Sequence, residues 1–180
     1  MLHLITGGAR SGKSRYAETL ALAHPGRVVY LATAACDPGD AEFAARIAHH
    51  RARRPAAWGF AETGATLAEA LEAQAAPDTL LLVDCMTMWL MHFVDGVCSG
   101  GGLGQRWPEA RARLLATLPR LPGTVLLVTN ELGWGVVPMG AATRAFVDEL
   151  GRLNQDLAAA ADKVTLVACG LPLALKGEEK

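Results

Sequence analysis

Three stretches of this chain carry residue types suited to phosphate chemistry. The first, "GGARSGKS" (Gly7–Ser14), has the form GxxxxGK[ST]. Its glycines let backbone N–H groups converge on phosphate oxygens, and a helix starting at its end adds partial positive charge. Lys13 is then expected to reach the β- and γ-phosphates, and the Ser14 hydroxyl to ligate Mg²⁺. An ordinary glycine-rich turn between strand and helix would need neither the lysine nor the serine. The motif implies a nucleoside triphosphate without naming the reaction. The second stretch, "LLLVDC", ends a hydrophobic run in Asp84. Many buried strands end in aspartate, but beside a phosphate loop this one reads as a Walker B element, with a metal or nucleotide role.

The third stretch is "RIAHHRARRP" (46–55). Asp40 is a plausible N-cap, and a helix over 41–54 would be stopped by Pro55. At 3.6 residues per turn, Phe43, Ile47, His50 and Arg54 share one line, and Glu42, Arg46, His49 and Arg53 another. The second line is a solvated charged stripe. The first continues an inward apolar face, so His50 points toward the body of the protein. An inward histidine is often only a hydrogen-bonded core residue. The arginines have two readings, a solvated basic helix end or a set of guanidinium forks for phosphate. In the second reading, neighbouring positive charge keeps the His50 imidazole neutral, which is its nucleophilic form.

These residues need elements to hold them. Apolar runs predict strands at Leu2–Thr6, Arg27–Thr33, Thr79–Asp84, Thr124–Thr129 and Lys163–Ala168, and alanine-rich segments predict helices near 13–23, 41–54, 66–75, 85–94, 109–118 and 141–161. Several strands are nearly continuous apolar runs, the mark of burial on both faces of a parallel sheet. Alternating strands and helices imply repeated βαβ units, hence an α/β chain with a mostly parallel central sheet flanked by helices. The 180 residues suit one domain spanning 1–180. A net charge of −1 gives no basic surface for nucleic acid. No apolar run is long enough to span a membrane. The four cysteines form no CxxC pair, and no signal peptide is seen, so a reduced, cytoplasmic setting is expected. Residues 95–108, rich in glycine, read as a surface loop. In "VTNELGWGVVP" (128–138), Asn130 and Glu131 follow a buried strand, where α/β sites lie, and read as lining the site. Arg152, Asn154 and Gln155 could be subunit contacts or solvated positions.

Taken together, the chain resembles the bifunctional adenosylcobinamide kinase / adenosylcobinamide-phosphate guanylyltransferase family of cobalamin biosynthesis. The resemblance runs through "ITGGARSGKSRYAE", "YLATA", "RIAHHRARRPAAW" with Glu62 beyond it, "LLVDCMTMWL", "VTNELGWGVVP", "GRLNQDLA" and "VACGLP". Where the family commonly has "LWLSN" after the Asp84 strand, this chain has "MWLMH". The resemblance implies a RecA-like P-loop core and a homotrimer. It implies ATP or GTP as donor, Mg²⁺, and a corrinoid substrate, adenosylcobinamide and then its phosphate. GMP transfer would pass through a guanylylated histidine, which the pattern R-I-x-x-H-[RK]-x-x-R-P places on His50. The nucleotide-contacting positions would be Gly7, Gly8, Ala9, Arg10, Ser11, Gly12, Lys13, Ser14, Ala34, Ala35, Cys36, Arg51, Ala52, Arg53, Arg54, Glu62 and Asp84. Lys13 would share the catalytic work with His50, and Ser14 and Asp84 would face the metal. A single-step P-loop small-molecule kinase is the alternative. A GTPase-type switch would want an [NT]KxD element, and "TNEL" is not one.

Overall fold

A computed structural model describes residues 1–34, 54–94 and 103–177. The expected helix over 41–54 lies outside the described residues, apart from Arg54, and so do residues 95–102 of the glycine-rich loop.

Among the described residues the strands are β1 (Leu2–Thr6), β2 (Arg27–Ala32), β3 (Gly59–Glu62), β4 (Thr79–Asp84), β5 (Thr124–Val128), β6 (Lys163–Ala168) and β7 (Leu171–Lys176). They form one seven-stranded sheet in the order β3-β2-β4-β5-β1-β6-β7. All neighbours are parallel except β6 and β7. The helices are α1 (Lys13–Leu22), α2 (Leu67–Gln74), α3 (Met86–Met91), α4 (Trp107–Thr117) and α5 (Ala141–Ala160).

The continuous apolar runs are divided between two cores. Ile5, Val28, Tyr30, Leu80, Leu82, Leu126 and Val128 pack with Ala17 and Ala21 of α1. The residues between them in the chain, such as Leu4, Val29, Leu31, Leu81, Val83, Val125 and Leu127, pack on the other face beneath α2 to α5. Successive strand side chains point to opposite faces, so a strand buried on both sides has no polar alternation. In α5, Leu150, Leu153, Asn154 and Leu157 are buried at the spacing of one helix face. No helix among the described residues is long and apolar enough to cross a membrane.

Two strands go beyond the sequence expectation. β3 is a four-residue edge strand with alternating exposure. β7 follows a tight turn at Cys169 and Gly170, whose φ values of 54° and 80° are both left-handed, as a two-residue hairpin requires. Its side chains are all exposed. Helix α4 starts two residues earlier than expected and absorbs the end of the glycine-rich segment. Trp107 is buried against Trp89 and Phe93, its indole N–H donates to Glu149 at 2.9 Å, and Pro108 suits a helix's first turn.

Candidate nucleotide site

The phosphate loop joins Thr6 of β1 to Lys13 of α1. Two of its glycines are required by close approach. A Cβ on Gly7 would lie 2.3 Å from the Val167 carbonyl oxygen, and one on Gly12, with φ of 98°, would lie 3.1 Å from Gly170 Cα. The Gly170 N–H donates to the Ser11 carbonyl at 2.8 Å, so the β6–β7 turn braces the loop from behind. Ala9 and Arg10 are exposed at its crest. The Ser11 hydroxyl is buried without a hydrogen-bond partner among the described residues, and Ser14 sits half-buried on the first turn of α1.

Lys13 is buried, and its Nζ donates to the Gly8 carbonyl at 3.0 Å. Burial lowers its pKa, while the nearby Cys85 and Asp84 groups oppose the shift. Among the described residues Lys13 is held by one carbonyl and has no ion pair, and phosphate oxygens would supply negative partners.

Asp84 ends β4, level with Ala32 of β2 and Val128 of β5. Burial, with the Asp84 charge adding to it, pushes the Cys85 thiol up to about 11, so it stays protonated at neutral pH. The Cys85 carbonyl accepts from the Thr33 hydroxyl at 2.7 Å, and His92 Nε2 lies 2.6 Å from the Thr33 carbonyl oxygen. The backbone leading into Ala34 is thus held at Thr33, whose side chain is tied to the start of α3 and whose carbonyl is tied to its end. His92 is the last residue of "MWLMH", so the departure from "LWLSN" still provides a polar contact.

Arg54 packs over the face of Tyr30, with its guanidinium carbon 3.2 Å from the ring centroid. Tyr30 also stacks on Phe60 at 6.3 Å, and its hydroxyl donates to the Asp84 carbonyl at 3.5 Å. Burial, followed by the Asp84 charge, raises the Tyr30 pKa far above its ordinary value. The phenol is neutral at any working pH and acts as a platform. The Arg54 Nε is buried without a partner among the described residues.

Beyond β5 lies a polar knot. Asn130 donates through its backbone N–H (3.2 Å) and its Nδ2 (2.9 Å) to the Thr87 hydroxyl. Glu131 N–H donates to the Gly7 carbonyl at 3.1 Å. Glu131 Oε1 accepts from the Thr6 hydroxyl at 2.7 Å and from Asn154 Nδ2 at 3.2 Å. Asn154 Nδ2 also donates to the Asn130 carbonyl at 3.0 Å, and Asn154 Oδ1 accepts from the Thr129 hydroxyl at 2.8 Å. Neither reading of Asn154 as a subunit contact or a solvated position describes it, because it is buried and fastens α5 to the end of β5. Arg152 and Gln155 are exposed, and Arg152 pairs with Glu149.

The carboxyl ends of the parallel strands therefore carry the phosphate loop (β1), Ala34 (after β2), Asp84 (β4) and the Asn130–Glu131 pair (after β5) along one edge of the sheet. This is where open α/β sheets take ligands. Arg54 reaches the same neighbourhood over Tyr30. Glu62 ends the outermost strand β3, paired with Ala32, and is exposed. Ala35, Cys36, His50, Arg51, Ala52 and Arg53 lie outside the described residues. Sequence reasoning did not single out Tyr30, Thr33, Thr87 or His92. Tyr30 sits inside an apolar strand and reads there as core. The other three work through backbone carbonyls or a single hydroxyl, which leave no spacing signal.

Comparison with known proteins extends these observations. The family model described as cobinamide kinase / cobinamide phosphate guanyltransferase matches residues 3–175. The chain is 48% identical to the bifunctional adenosylcobalamin biosynthesis protein CobP of Pseudomonas aeruginosa, covering 99% of this chain and 99% of that protein. It is 42% identical to the corresponding CobU of Salmonella typhimurium, covering 98% and 100%. Among solved structures, the ATPase EscN of an enteropathogenic E. coli type III secretion system aligns with a TM-score of 0.56 at 16% identity, over 93% of this chain and 43% of that one. A protein from Pyrococcus horikoshii aligns with a TM-score of 0.55 at 8% identity, over 99% and 87%. At such identities the structural likenesses establish the P-loop fold and nothing about substrate.

Proposed function

This chain belongs to the cobinamide kinase / cobinamide phosphate guanyltransferase family, and on that premise we propose the route by which it works. It is a bifunctional enzyme of adenosylcobalamin biosynthesis. In the kinase step, a nucleoside triphosphate bound at Gly7–Ser14 gives its γ-phosphoryl group to the aminopropanol hydroxyl of adenosylcobinamide. In the transferase step, a neutral imidazole nitrogen of His50 attacks the α-phosphorus of GTP, the bond to the β-phosphate oxygen breaks, and pyrophosphate leaves. A phosphate oxygen of adenosylcobinamide phosphate then attacks the His50–GMP bond, giving adenosylcobinamide-GDP and free His50.

The burial of Lys13 inside the phosphate loop carries this reading. The loop supplies amides and one desolvated cation for the β- and γ-phosphates, so charge that gathers on departing pyrophosphate is met by groups already in place. Arg51, Arg53 and Arg54 neutralise the transferred group, with Arg54 preset on Tyr30. Ala34, Ala35, Cys36, Ala52 and Glu62 complete the nucleotide's surroundings. The donor set of the Ser14 hydroxyl and Asp84 carboxylate is hard oxygen, which suits Mg²⁺. When bound there, the ion neutralises phosphate charge.

On this reading one domain, residues 1–180, does both steps, in the cytoplasm where nucleoside triphosphates are made. It works as a homotrimer. The exposed apolar side chains of β7, Leu171, Leu173 and Leu175, and of the loop carrying Leu132, Trp134, Val136, Val137 and Met139, form the kind of surface that a subunit contact covers.

The test is turnover of adenosylcobinamide with ATP and GTP supplied separately and products weighed by mass spectrometry. The expected result is adenosylcobinamide phosphate with an accepted donor, and adenosylcobinamide-GDP only when GTP is present. Phosphate product alone, even with excess GTP, would leave a single-step kinase.

A further inference from the structure

We propose that Glu131 is the general base of the kinase half-reaction and has no chemical part in GMP transfer. The inference rests on the two-step reading above. The two half-reactions differ in their nucleophiles. The kinase step uses an alcohol, whose proton must go somewhere as the oxygen bonds to phosphorus. In the transferase step a neutral imidazole nitrogen attacks through its lone pair, and then a phosphate monoester attacks through an oxygen that is already anionic. Only the first needs a base at the nucleophile.

Among the described residues, three carboxylates stand at the carboxyl edge of the parallel strands: Glu62, Asp84 and Glu131. Glu62 ends the outermost strand, with β2, β4 and β5 between it and β1. Asp84 lies close enough to Lys13 to act on its charge, and its place is with metal and phosphates. Glu131 follows β5, the strand lying between β4 and β1 and paired in parallel with both. A group just past that end falls between Asp84 and the phosphate loop.

The carboxylate is held there by more than its own chain. Its backbone N–H is bonded to Gly7, the first residue of the loop. Both hydrogen bonds to its side chain, from Thr6 and from buried Asn154, converge on Oε1, and no described residue donates to Oε2. One oxygen fixes the group and the other is left to accept a proton. In the step itself the alcohol oxygen bonds to the γ-phosphorus, the γ-phosphorus to β-phosphate oxygen bond breaks, nucleoside diphosphate leaves, and the hydroxyl proton passes to Glu131 Oε2 and then to water.

The experiment compares wild type, Glu131→Gln and Glu131→Asp in two assays: phosphorylation of adenosylcobinamide, and guanylylation of supplied adenosylcobinamide phosphate. The glutamine keeps an oxygen for Thr6 and Asn154 but cannot take a proton. Its kinase kcat is expected to fall about 100-fold or more. GMP transfer is expected to change less than about threefold, a ratio worth under about 0.7 kcal/mol. Glu131→Asp should recover part of the kinase rate. Equal loss in both assays with an unchanged melting temperature would make Glu131 a scaffold residue and overturn the proposal, as would an undiminished kinase. If Glu131→Gln melts early, Glu131→Asp decides: a kinase-only defect supports the base, and equal defects contradict it. Wild type inactive as a kinase but active in transfer would overturn the two-step reading itself.

Discussion

The Arg54 guanidinium carbon sits over the Tyr30 ring, 3.2 Å from its centroid. Tyr30 in turn is stacked on Phe60 and tied to the Asp84 backbone. A side chain with four rotatable bonds is thereby presented to the nucleotide edge with little left to order on binding.

Replacing Tyr30 with leucine removes the platform and leaves the charge. A cation–π contact contributes about 0.5–2 kcal/mol, so the KM for GTP should rise about 2- to 30-fold. Tyr30→Phe keeps the ring and should stay within about threefold. Steady-state kinetics of GMP transfer separate the two. A phenylalanine variant as weak as the leucine one would shift the credit from the ring to the hydroxyl.

Lys13 is desolvated without an ion pair among the described residues. Its lowered pKa means that protonation is less favourable folded than unfolded. In such a case stability rises as pH climbs through the lowered folded pKa toward the ordinary 10.5. Lys13→Met should therefore abolish turnover and yet stabilise the nucleotide-free protein at neutral pH. A gain of about 1–2 kcal/mol corresponds to roughly 2–8 °C in melting temperature. The gain should shrink toward alkaline pH. Calorimetry at two pH values checks both sign and trend.

Asn154 satisfies three partners at once. Asn154→Leu would leave the Thr129 hydroxyl, the Asn130 carbonyl and Glu131 Oε1 each short of a bond in a buried setting. A cost of about 3 kcal/mol is expected, or roughly 6–12 °C. Thermal unfolding measures it.

The apolar face of β7 tests the assembly. Leu173→Asp combined with Leu175→Asp places charge at two β7 positions that are each 58% exposed. Sedimentation equilibrium should show wild type at three times the chain mass and the double variant at one. A wild-type monomer would remove the trimer from the account.

How far the sequence foretold this arrangement depended on where each signal lay. The phosphate loop was readable because chemistry and backbone both need glycines at fixed places; Gly7 has no room for a Cβ. The Asp84 strand was readable because burial on both faces writes an unbroken apolar run. β7 carried a period-two pattern, Leu171, Leu173, Leu175, after a Cys-Gly turn, but Pro172 and the absence of a buried face hid it. Asn154 was opaque, because one polar residue on an apolar helix face declares neither its burial nor its partners. Those partners, the consecutive Thr129, Asn130 and Glu131, meet it only once α5 is packed against the end of β5.

The most direct test of the account is retention of label from GTP carrying radioactive phosphorus at the α position. Wild type and His49→Ala should both hold label that is acid-labile and base-stable, and His50→Ala should hold none. Adding adenosylcobinamide phosphate should discharge the label into adenosylcobinamide-GDP. Labelling that survives in His50→Ala and vanishes in His49→Ala would contradict the assignment, and no retained label in wild type would contradict the covalent route.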